Sequence, residues 1–124
     1  VSVVRVIKIG SRLRIALAEE VCDEFDELPV VNRAGLTASM ETFADLSAGQ
    51  TLPPQQYNSE GRHKIAGKEI ALFAFKDSHF RLYGGFVTVD RHSTWLGVML
   101  VIKKRNKADP GALQTAASRL REYT

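Results

Sequence analysis

Between Glu69 and Ile102 three β-rich apolar runs follow one another with only short polar links, and few folds accommodate that arrangement. The runs are Glu69–Phe75 (EIALFAF), Phe80–Val89 (FRLYGGFVTV) and Trp95–Ile102 (WLGVMLVI); Lys76–His79 and Asp90–Ser93 link them. Links of this length are too short for a crossover, so neighbouring strands are expected to turn back as antiparallel hairpins. The third run is apolar on both faces, as a central strand covered on both sides requires. Gly84-Gly85 inside the second run marks a bulge or a close approach of another backbone.

The flanking segments add helices. Val1–Ile9 is β-branched and ends at Gly10, which predicts a further strand. Leu13, Leu17, Val21, Phe25 and Leu28 recur at helical spacing, which predicts a helix capped by Ser11 and stopped by Pro29. Asn32 is a suitable cap for a second helix with a Leu36, Met40, Phe43 stripe, stopped at Gly49. The short link between them predicts an antiparallel helical hairpin. Residues 50–67, with Pro53, Pro54, Gly61 and Gly67, read as a loop. Asp109-Pro110 opens a last helix whose apolar face is Leu113, Ala116, Ala117, Leu120 and Tyr123. The expected fold class is α+β in the order β-α-α-β-β-β-α. In it a small, mostly antiparallel twisted sheet is flanked by an N-terminal helical hairpin and a C-terminal helix, all in a single domain over residues 1–124.

Charge is divided unevenly along the chain. Residues 1–61 carry a balance of −4 and residues 62–107 a balance of +7, within a total of +3. A small domain with one acidic and one basic half has a directional field, and its basic part attracts a polyanion. Cys22 is the only cysteine, so it has no disulfide partner and no zinc partner, and it reads as a core filler. No apolar run approaches the roughly 18–20 residues that span a bilayer. A cytoplasmic protein without membrane contact is the expectation. The sequence holds no glycine-rich phosphate loop, no metal spacing and no nucleophile elbow.

Three strings then carry a resemblance. Phe80-Arg81-Leu82-Tyr83 resembles the aromatic-Arg-aliphatic-Tyr string on a central strand of RelE/HigB-type toxins. The segment from Ile102 to Pro110 (IKKRNKADP) resembles the basic string that opens the final helix in the phage-derived HigB-like branch. Ala116-x-x-Arg119-x-x-Glu122-Tyr123 is similar to that helix's ending. The resemblance implies a RelE-like fold and the toxin of a toxin–antitoxin pair, an endoribonuclease that cuts messenger RNA on the ribosome without metal or cofactor. It also implies a basic concave face, covered in the resting state by a cognate antitoxin.

Such cleavage needs a group to take the 2′ proton, a group to stabilise charge on the phosphate and a group to protonate the leaving 5′-oxygen. Arg81 matches the family arginine, and its guanidinium can grip two phosphate oxygens at once. His63 and His79 are candidate bases because imidazole titrates near neutrality. Lys104 or Arg105 aligns with a family arginine at the leaving group. Lys64, Lys68, Lys76, Lys103 and Lys107 are expected to contact RNA, and Tyr83 either stacks on a base or packs in the core. Where RelE itself carries two lysines before the clamp arginine, this chain has Leu72 and Ala74. That departure keeps an alternative open, a non-catalytic RNA- or protein-binding module on the same fold. A further alternative takes the acidic segment Glu19–Glu27 as a protein-contact surface.

Overall fold

The computed structural model describes residues 4–47, 49–103 and 109–124. Its elements run β1 (Val4–Ile9), β2 (Arg14–Ala18), α1 (Glu19–Asp26), α2 (Val30–Asp45), β3 (Tyr57–Ile65), β4 (Lys68–Asp77), β5 (Phe80–Val89), β6 (His92–Ile102) and α3 (Pro110–Arg121). The strands form one sheet in the order β1-β2-β6-β5-β4-β3. Every neighbouring pair is antiparallel except β2 with β6. After β2 the chain crosses through α1 and α2 to the far edge, then returns by the β3-β4-β5-β6 meander until β6 lies beside β2.

The β4-β5-β6 part of the meander is the part read directly from sequence. Two-residue turns close the meander: Ala66 and Gly67 both have positive φ, as do Asp90 and Arg91, which suits the twist of adjoining strands. Gly84 sits at the β5–β6 register shift, where any Cβ would collide with the Leu96 carbonyl oxygen. The close backbone approach expected at Gly84-Gly85 is thus found, and the extra residue of the register shift, Val98, falls on β6.

Each face of the sheet carries its own core. On one face α1 and α2 cover Ile15, Leu17, Phe75, Leu82 and Trp95. Trp95 is fully buried and donates its indole N–H to the Tyr57 hydroxyl at 3.1 Å. On the other face α3 lays Ala116, Ala117 and Leu120 over Leu72, Ala74, Tyr83, Leu96 and Val98. Asp109 caps α3 by accepting from the Gly111 N–H at 3.0 Å, and Pro110 occupies the first turn, as the sequence predicts.

The expected β-α-α-β-β-β-α, RelE-like order is overturned. The observed arrangement is a six-stranded mixed sheet with three helices, and it does not begin with a strand and a helical hairpin. Two segments account for the difference. Residues 14–18, assigned to the first helix, form β2, and Ser11 caps nothing; its N–H donates instead to Asp45 Oδ1 at 2.7 Å. Ile15, Ala16, Leu17 and Ala18 are all fully buried, so the segment is apolar on both faces. That suits a strand between β1 and β6, and a helix with one solvated side would expose half of it. Residues 57–65, expected as loop, form the edge strand β3. Its polar residues and its register shift between Ser59 and Arg62 are how an exposed edge avoids further pairing. Among the described residues no helix is long and apolar enough to cross a membrane.

Candidate nucleic-acid interface

Strand register assembles the site. Lys76 on β4 pairs with Arg81 on β5, and Arg81 pairs with Val101 on β6. One row further in, Ala74 pairs with Tyr83 and Tyr83 with Met99, while Asn58 of β3 pairs with Ala74. Tyr83 and Ala74 belong to the core beneath α3, so by strand alternation Lys76 and Arg81 lie on that same face. Lys103 extends the row by one strand step past Val101, and its N–H donates to the His79 carbonyl at 2.7 Å. Lys76 and Arg81 on adjacent strands, and Lys103 just past the end of β6, thus share one end of the α3-side face.

The side chains are held from below by carbonyls. Arg81 Nη1 donates to the Ser78 and Phe80 carbonyl oxygens at 2.8 and 2.9 Å. Lys76 Nζ donates to the Pro54 carbonyl at 3.0 Å. Among the described residues no carboxylate forms an ion pair with Lys76, Arg81 or Lys103; the one ion pair there joins Arg5 to Asp26. Like charges this close repel unless an anion sits among them. The consequence shows at Lys76, whose pKa is held below the usual lysine value by burial first and then by Arg81, with Lys103 adding a smaller push. Glu60 opposes this by more than Lys103 adds. The Tyr83 hydroxyl is pushed the other way, upward, by burial and then by Glu60. It therefore remains a neutral phenol.

The sequence-derived candidates divide by position. Arg81, Lys76 and Lys103 are brought together, with His79 exposed in the turn at the same end. Tyr83 is 1% exposed and packs in the core, so its ring is closed to a stacking base. His63 pairs with Ile70, six positions along β4 from Lys76, or roughly 20 Å at strand rise. Its Nε2 is 2.9 Å from the Glu60 carbonyl. Lys64 faces Glu69 across the β3–β4 ladder, and Lys68 Nζ donates to Thr124 Oγ1 at 3.0 Å; both lie toward the turn end with His63. Lys104, Arg105 and Lys107 lie outside the described residues.

Sequence reading missed Asn58 and Glu60, because the segment that carries them looked like a loop. The usable signal was the pair of partly and fully buried residues that bound it, Tyr57 and Ile65, with Ala66-Gly67 as a two-residue turn into β4. Among the described residues no group of His, Cys, Asp or Glu could hold a metal ion. No protein-family model, curated protein or solved structure matches this chain.

Proposed function

We propose that this chain binds single-stranded RNA by its phosphate backbone, along the row formed by Lys76, Arg81 and Lys103. The observation that carries the reading is that Lys76 and Arg81, paired on adjacent strands, and Lys103, just past the end of β6, share one end of the sheet with no carboxylate in an ion pair with them among the described residues. Arg81 is braced by two carbonyls through Nη1 and its Nε is buried, which leaves Nη2 oriented toward a phosphate oxygen. Replacing Arg81 by Ala weakens binding to all RNA sequences alike, because phosphate contacts position the strand and carry no sequence information. Filter binding on several unrelated single strands tests this; loss on one sequence only would contradict it.

A second reading, cleavage of messenger RNA by a ribosome-dependent toxin restrained by an antitoxin, is favoured by one observation. Lys76 combines a lowered pKa with a place beside the arginine. On this reading His79 is the candidate base for the 2′ proton, Arg81 stabilises the pentavalent phosphate, and Lys76, made a readier proton donor by its lowered pKa, protonates the 5′-oxygen as its bond to phosphorus breaks. On this reading induction of the wild-type chain arrests growth, and messages are cut in the presence of a chelator. Lys76→Met abolishes cutting and weakens RNA binding without eliminating it. Normal growth with soluble protein removes the nuclease and leaves the binding module.

A further inference from the structure

A second recess lies around the edge of the sheet from the cationic row. It is a cleft of about 450 Å³ between α2 and the residues that lead into β3, lined by Ala38, Ser39, Gln55, Gln56, Asp77 and Ser78 among others. That volume is within the roughly 300–1,000 Å³ of small-ligand sites. The cleft exists because α2 turns small residues toward β4. At Gly35 a Cβ would collide with the Asp77 carboxylate, and Ala38 adds only a methyl group.

Its chemistry differs from that of the row. Ser39 is nine-tenths buried, and its hydroxyl makes no hydrogen bond with any described residue. Gln55 and Gln56 offer amides that can both donate and accept, and neither side chain is hydrogen-bonded within the described residues. Asp77 accepts at Oδ2 from Asn32 Nδ2 at 2.8 Å and keeps further acceptor capacity. A carboxylate in the recess repels phosphate and accepts from N–H groups. The cleft is therefore unsuited to the RNA backbone and suited to a flat polar group with ring N–H or amino donors.

The two places are joined through β4. The ladder with β3 starts at Tyr57 and Phe75, and beyond it the Lys76 N–H donates to the Gln56 carbonyl at 2.9 Å. Lys76 belongs to the row and also lines the cleft, and Ser78, which lines it too, supplies the carbonyl that braces Arg81. From these observations we infer that the cleft takes a nucleobase of the RNA strand whose neighbouring phosphate lies on Lys76 and Arg81. This rests on the phosphate-binding reading above and adds a base-recognising subsite to it. Base edges are read by just such amides, hydroxyls and carboxylates, and one good contact set contributes about 1–3 kcal/mol.

The test compares a single-stranded RNA of roughly ten nucleotides with an abasic backbone of equal length, by fluorescence anisotropy. Wild type is expected to bind the base-bearing strand about tenfold more tightly or better, the lower end of such contacts. Ala38→Leu fills the cleft from an exposed helical position, where leucine is as good a helix former as is needed. It should cut the difference below about twofold and leave abasic affinity unchanged. Gln56→Ala, at an exposed position, should narrow the difference in the same sense. A tenfold preference that survives Ala38→Leu overturns the cleft while leaving the row intact. Failure of wild type to bind either strand overturns the phosphate reading, and the cleft with it.

Discussion

Arg81 was legible through its place in the Phe80-Arg81-Leu82-Tyr83 string, Lys76 through the polar link that follows its strand and Lys103 through the basic string after the last strand. Their juxtaposition was not, since it depends on a register that no local pattern states. The lowered pKa of Lys76 has a consequence that can be measured. A lysine whose folded pKa lies below its unfolded value costs stability while protonated in both states, and that cost disappears as pH rises through the folded value. A bound phosphate favours the protonated form, so RNA affinity should fall with rising pH before the ordinary lysine value of 10.5 is reached. Lys76→Gln should remove that step from the pH profile of binding; a step of equal size in the variant would assign it elsewhere. A second residue-level expectation concerns Tyr57. Its hydroxyl is the acceptor for the buried Trp95 indole, and Tyr57→Phe strands that donor at a cost of about 1–3 kcal/mol. Denaturant unfolding measures it, with the midpoint shifted and the slope unchanged.

Elements were legible where a cap or short links bounded them, and ambiguous where the apolar pattern alone had to decide. The final helix announced itself through Asp109-Pro110, and the three meander strands through their length and their links. The segment from Leu13 to Leu28 misled because its apolar residues fit a helical period, while Ile15 to Ala18 also satisfy a strand buried on both faces. What decided between them is tertiary: the chain needs a partner for β6, and β2 pairs with it from Arg14↔Thr94 to Leu17↔Gly97. The edge strand β3 misled in the opposite direction, being polar enough to pass for a loop. Backbone chemical shifts distinguish the alternatives residue by residue. Arg14–Ala18 and Tyr57–Ile65 should show strand-type shifts, and Glu19–Asp26 helical ones, with the change falling at the Ala18–Glu19 junction. Helical shifts from Leu13 onward would restore the simpler reading. At the β5–β6 bulge, Gly84→Ala drives a methyl group into the Leu96 carbonyl, and destabilisation of about 1–3 kcal/mol or more follows.

At the scale of the whole molecule, the unequal distribution of charge acquires a location. The acidic part of the sequence includes α1, which packs over the α2-side core, and the basic part includes the strands that present Lys76, Arg81 and Lys103 on the α3 side. Composition alone suggested a polyanion partner, and the sheet register supplies a surface on which one would lie. His63, a candidate base from the sequence, lies at the other end of the β3–β4 ladder from Lys76. Among the described residues, His79 is the histidine at the row's end. The measurement that bears most directly on the row is the salt dependence of single-stranded RNA binding for wild type and for Lys76→Gln, Arg81→Gln and Lys103→Gln. Each neutralised phosphate contributes about 0.7 to the slope of log affinity against log salt, so each variant should lose about that much, with weaker binding at every salt concentration. Three variants with the wild-type slope and affinity would contradict the account.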